Sequence, residues 1–148
     1  MADVIRRVKY CYVVVRNQPG QGARVLDGVK KAGVNLFGFC AFPLKGRQGQ
    51  IDLVTDNLAG VKLAAKAGGW KLSKAKNAFL LWGEDRVGAV ADVLGKLAAA
   101  KVNVTAAHAV TAGSGRYGLI IWVKPQAYAR AAKILRAKSP MTKPNQET

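Results

Sequence analysis

The sequence predicts an α+β fold made of two copies of a βαββαβ unit, with antiparallel strands and both helices of each unit on one sheet face. Three observations predict it. First, the chain repeats itself at a spacing of 68 residues: Gly20 pairs with Gly88, Ala23 with Ala91, Leu26 with Leu94, Ala32 with Ala100, Val34 with Val102 and Asn35 with Asn103. These identities fall at turns, core-facing helix positions and strand entries, where few residue types serve, so they mark a duplication. Second, β-branched and aromatic runs such as residues 10–15 alternate with stretches whose apolar residues recur at helical spacing. Third, glycine and proline stand at the joints between them.

Taken in order, residues 10–16 read as a strand that residues 4–9 extend. Pro19 and Gly20 open a helix with Asn17 as its cap, Val25, Leu26, Val29 and Ala32 as its apolar stripe and Gly33 as its end. Strands follow at 34–44 and 50–55, joined by the glycine-bearing loop 45–49. Residues 58–67 form the second helix, ended by Gly68 and Gly69, and residues 70–74 a short fourth strand. The second copy runs strand 78–82, helix 87–100, strand 102–111, loop 112–115, strand 116–124 and helix 126–137. Its helix stripe is Val90, Leu94 and Leu97. From Ser139 onward proline rules out an interior strand, so the fourth strand of this copy is absent or replaced by the N-terminal segment. The expected organisation is therefore a first unit at 1–75, a second at 76–138 and a polar tail at 139–148.

Half of the 148 residues are hydrophobic, which places the chain among globular proteins. The first residues have no apolar core of a secretory leader, and no apolar run approaches the roughly 20 residues that span a bilayer. With two cysteines and no export signal, the expectation is a reduced, cytoplasmic protein without a membrane partner. The net charge is +16, with 14 basic and 4 acidic residues in 1–76 and 10 and 4 in 77–148. Such a field attracts polyanions, although a solvated basic surface needs no partner.

The stretch with most chemistry is Asn17-Gln18-Pro19-Gly20. It leads out of a strand into a helix whose first amides are unpaired and attract a carboxylate. Gly20 permits close approach of a ligand, and the amides of Asn17 and Asn35 match an ammonium-plus-carboxylate ligand. Read without a ligand, the same residues turn the chain and cap the helix.

A strand, an Asn-x-Pro-Gly turn, a helix and a closing Gly33-Val34-Asn35-Leu36 resemble the first half of an ACT domain, a ferredoxin-like βαββαβ module that binds amino acids. The resemblance covers nearly the whole chain as two copies, the second carrying Asp85 for Asn17 and Val87 for Pro19. It implies a non-enzymatic regulatory protein binding a free amino acid between paired units, as a homodimer, without a cofactor. By position it implies Asn17, Gln18, Gly20, Gln21 and Asn35 at one site and Asp85, Gly88 and Asn103 at a second. Asp85 repels a ligand carboxylate and Val87 removes the rigid turn, so the second site is expected to be degenerate.

Other chemistries find little footing. Gly20-Gln21-Gly22 lacks the third glycine of a dinucleotide loop, since Val25 stands there. Cys11, Cys40 and His108 do not form the close ligand pairs of a structural zinc site. No nucleophile–base constellation or carboxylate pair is visible. A nucleic-acid or acidic-protein scaffold is the alternative that the charge supports. However, the strand at 50–55 lacks the aromatics of an RNA-binding sheet and carries a buried-looking Asp52 instead. Finally, strands apolar on both sides must be covered on both, which predicts that Val13, Val15, Phe79, Leu81, Ile120 and Trp122 lie on a second face buried against another sheet.

Overall fold

The computed structural model describes residues 3–140. Of the tail expected at 139–148, residues 141–148 lie outside the described residues. The fold is α+β with six strands and four helices, and the chain divides into two compact units. One is Lys9–Lys76. The other is built from 77–140 together with 3–8, so the start of the chain groups with the second copy.

In the first unit, β1 (Val4–Arg16) enters from residue 9 onward and is followed by α1 (Gln21–Lys31), β2 (Gly38–Leu44), β3 (Gln48–Val54) and α2 (Leu58–Gly68). The strands lie in the order β2-β3-β1 and both pairings are antiparallel. Both helices cover the same face. Val25 and Val29 of α1 and Val61 of α2 pack on Val13, Ile51 and Leu53 in one buried cluster. α2 begins with Asn57, whose side chain accepts a hydrogen bond from the Gly60 amide at 3.0 Å. The strand expected at 70–74 reduces to a single bridge, Leu72 to Val13. β2 starts at Gly38, four residues later than the apolar run suggests, because residues 34–37 close the end of α1: the Val34 amide donates to the Val29 carbonyl at 3.2 Å.

The second unit contains β4 (Lys76–Glu84) from residue 77, α3 (Ala89–Ala99), β5 (Val104–Gly113), β6 (Arg116–Val123) and α4 (Pro125–Ile134). Its order is β5-β6-β4, with the N-terminal end of β1 beside β4. That end also exchanges backbone bonds with Lys138, Arg7 amide to Lys138 carbonyl at 3.0 Å and Lys138 amide to Ile5 carbonyl at 2.8 Å. The N-terminal segment thus stands where a fourth strand is missing. The core is Phe79, Leu81, Val93, Leu97, Leu119 and Ile121, packed between sheet and helices.

The duplication is written into the backbone. Asn17 N–H to Arg47 and Asp85 N–H to Gly115, Arg24 to Gly20 and Asp92 to Gly88, Val34 to Val29 and Val102 to Leu97 are the same three hydrogen bonds, displaced by 68 residues. One expectation is overturned. Val13, Val15, Phe79 and Leu81 belong to the helix-covered cores, not to the opposite face. Side chains alternate along a strand, so Leu119 and Ile121 share that covered side while Ile120 and Trp122 point away from it.

Candidate functional site

In both copies the strand-to-helix turn ends on a left-handed glycine, Gly20 at φ +89° and Gly88 at φ +81°, each standing immediately before its helix. A side chain at either position would meet nothing within 4 Å, so the glycine is required by its backbone angle and not by crowding. No side chain caps α1. Asn17 therefore does not do so: its backbone amide donates to Arg47, and its side chain is exposed, with no hydrogen bond among the described residues. The Gln21 and Arg24 amides donate to Gln18 and Gly20. The Gly22 and Ala23 amides find no partner among the described residues, leaving the positive end of the helix open.

A groove of about 230 Å³ opens beside this end. Asn17, Gln18 and Gln21 line it from the turn and helix, and among the described residues none of their side-chain amides is engaged in a hydrogen bond. Val15, Ala41, Pro43 and Ile51 supply apolar walls, and Gly22 lies over Ile51. The groove exists because of one row across the sheet. Pro43, Gly49 and Val15 are paired neighbours on β2, β3 and β1, and the middle member has no side chain. Sequence reasoning found the turn and missed this wall. The signal was a proline and a glycine flanking the hairpin, which gains meaning only once the register is known.

Asn35 is not part of the groove. It is exposed beyond the far end of α1, with its carbonyl accepting from the Thr55 hydroxyl at 2.7 Å. The 11 residues of α1, at about 1.5 Å each, put it roughly 16 Å away. One small ligand does not reach both asparagines of a single unit.

The second copy is built differently at the same place. Its cross-strand row is Thr111, Tyr117 and Gly83, with the large residue in the middle and the glycine where Val15 stands. Tyr117 is 4% exposed and its ring lies so close over Gly83 that a Cβ there would come within 2.6 Å of it. Burial pushes the Tyr117 phenol above its ordinary range. Asp85 and Gly88 occupy the positions of Asn17 and Gly20. Ala89 and Val90 replace Gln21 and Gly22, and Arg86 reaches across the turn to Asp92 of α3 at 2.6 Å. Asn103 is exposed beyond the end of α3, away from this turn. One copy is open and lined with carboxamides; the other is filled by a tyrosine and strapped by an ion pair.

No family model matches the chain, and no curated protein does. Solved structures do. A protein from Bacteroides thetaiotaomicron aligns over 89% of this chain and 88% of its own, with a TM-score of 0.74 and 18% identity. The regulatory subunit of aspartate kinase from Thermus thermophilus, in a ligand-free form, aligns over 92% and 95% with a TM-score of 0.65 and 12% identity. That of Thermus flavus aligns over 91% and 94%, with a TM-score of 0.56 and 17% identity. The fold is ACT-like. The ACT-like pattern of strand, turn, helix and hairpin is what places the open groove at the start of α1.

The remaining reactive groups are dispersed. Among the described residues no three His, Cys, Asp or Glu side chains gather as metal ligands. Cys11 is buried, Cys40 half-buried, and burial raises both thiols above their ordinary range. His108 sits edge-on to Trp122, with ring centroids 5.7 Å apart. Among the described residues no helix is long and apolar enough to cross a membrane.

Proposed function

We propose that the chain is a non-enzymatic regulatory protein whose first unit binds a free amino acid in the groove at the start of α1. The observation that carries this reading is the juxtaposition of unengaged Asn17, Gln18 and Gln21 side chains with the unpaired Gly22 and Ala23 amides, above an apolar floor. The amides receive the α-carboxylate; carboxamide oxygens accept from the α-ammonium; Val15, Ala41 and Pro43 border the ligand's side chain. Asn35 acts from a second copy of the chain in a homodimer, closing the other end of the ligand. Two of the similar structures are regulatory subunits of aspartate kinase, which supports a regulatory role. The filled groove of the second copy supports one site per chain.

The test is a thermal-shift screen of the twenty amino acids. A ligand at one hundred times its dissociation constant adds about 2.7 kcal/mol to the stability of the state it binds, a rise of several degrees. Asn17→Ala should weaken that ligand by roughly 1–3 kcal/mol and Asn35→Ala by a similar amount, since each removes a hydrogen bond to a charged group. Asp85→Ala should leave it unchanged. Failure of every amino acid to shift the melting temperature at millimolar concentration ends the reading.

A further inference from the structure

The first unit carries a second groove that amino-acid sensing does not use. It is a crease of about 470 Å³ between α1 and α2, floored by Ala64, Ala67 and Trp70 and walled by Leu63, which is 67% exposed. Trp70 lies against Gly68, where any side chain would collide with its indole nitrogen, and Gly28 of α1 borders the same ring. Arg24 is pinned at the rim by donating to the Gly68 carbonyl at 2.8 Å. Lys31 pairs with Asp27 at 2.9 Å. Asp27 is the one acidic residue of the two helices against five basic ones, Arg24, Lys30, Lys31, Lys62 and Lys66, so this layer is net positive, and Arg24 and Lys31 line the crease itself.

The second copy provides an internal control. α2 and α4 correspond at a spacing of 67: Ala64 matches Ala131, Ala65 matches Ala132, and the closing bonds Trp70 N–H to Ala65 and Ala137 N–H to Ala132 agree. Leu63 then corresponds to Arg130. Arg130 bridges α4 to the end of α3, donating to the Ala100 and Lys101 carbonyls at 2.7 and 3.0 Å. Gly68 corresponds to the buried Leu135. The same fold thus closes this crease with a charged residue in one copy and leaves it open under an exposed leucine in the other. What stays open is not a lone leucine but a contiguous apolar channel, Leu63 with Ala64, Ala67 and Trp70, and an exposed apolar channel of this kind marks a contact surface.

We propose that the α1–α2 crease of the first unit docks an acidic amphipathic helix of a partner protein. Two neighbouring helices with an apolar channel between them receive a third by ridge-into-groove packing, its apolar residues on Leu63 and Trp70. Its carboxylates meet Arg24 and Lys31 at the rim, within the net positive charge of the two helices. The net charge, which free amino-acid binding leaves unused, here selects the partner and speeds its approach.

The experiment uses the full chain and a fluorescent synthetic peptide of about 18 residues, glutamates on one helical face and leucines on the other, with polyglutamate of equal length as control. Leu63→Arg, which copies the second unit, is the deciding variant because charge and packing predict opposite signs. Docking in the crease predicts that it weakens the amphipathic peptide about tenfold or more while leaving polyglutamate as tight or tighter. Amide chemical shifts should move on α1 and α2. The proposal is overturned if both peptides bind alike and Leu63→Arg tightens both, or if shifts move elsewhere. It is equally overturned if a single-stranded oligonucleotide outcompetes the peptide at these residues, or if Leu63→Arg acts only by converting a dimer of this chain to a monomer. Asn17→Ala should not affect the peptide, which separates this surface from the amino-acid site.

Discussion

Transplanting the second copy's tyrosine into the first, as the double variant Val15→Gly with Gly49→Tyr, should abolish amino-acid binding and leave the fold standing. In the second unit Tyr117 is accommodated because its β4 neighbour is Gly83. In the first unit the equivalent neighbour is Val15, so both changes are needed to reproduce the packing. A Cβ at Gly49 would lie 3.7 Å from the Phe42 carbonyl, an ordinary contact, so the strand accepts the new side chain. The ring then takes the volume over which Asn17, Gln18 and Gln21 converge. A bound ligand that raises stability by about 2.7 kcal/mol at a hundredfold excess over its dissociation constant should raise it by nothing in the variant. Gly49→Tyr alone is the comparison: with Val15 in place the ring has no bed, and stability should fall by the roughly 1–3 kcal/mol of an overpacked site. Retention of full ligand binding by the folded double variant would remove the groove from consideration as the site.

This contrast also measures what the sequence disclosed. The 68-residue repeat, the helices and the strand-to-helix turn were legible because glycine, proline and apolar spacing are local signals. The groove was not, because it depends on which residues sit side by side across strands. Val15 is distant in the chain from Pro43 and Gly49, and the three come into one row only through the β2–β3–β1 register. At Gly20 the φ of +89° makes glycine necessary whether or not a ligand approaches it, which only the backbone angle discloses. Asn17 was given a capping role that no side chain plays at α1. The sheet faces follow from the repeat itself. An even spacing of 68 conserves strand parity, so Val13 and Leu81 must share one face, as must Ile51 and Leu119; Ile120 and Trp122 then fall on the other. The short strand expected at 70–74 is cut down for a different reason: Trp70 turns back onto Gly68, and Leu72 and Ser73 are left to meet β1 at Val13 and Tyr12.

Phe79→Ala should be the most destabilising single truncation in the second unit, by about 3–5 kcal/mol. Phe79 is fully buried on β4 among Leu81, Leu97 and Leu119. Its ring stacks on Tyr128 of α4 with centroids 4.5 Å apart and planes 13° from parallel. Removal opens a cavity and also strips one wall from Tyr128, whose hydroxyl donates to the Ala78 carbonyl next to Phe79 at 2.9 Å. Urea unfolding should register the loss as a lower midpoint with little change in slope. The same packing has a pH signature. Burial pushes the Tyr128 phenol up to about 12, and Tyr10 in the other unit is raised to about 12 by burial and the charge of Asp52. A phenol with a raised folded pKa contributes its stabilisation fully below the unfolded value of about 10 and loses it as pH climbs through the folded one. Unfolding free energy should therefore fall between about pH 10 and pH 12. Tyr128→Phe should remove part of that fall, and Phe79→Ala should shift the Tyr128 titration, followed by phenolate absorbance, back toward its ordinary range. A Phe79→Ala chain that loses less than about 1 kcal/mol and titrates like the parent would mean that this ring pair does not anchor α4 to the sheet.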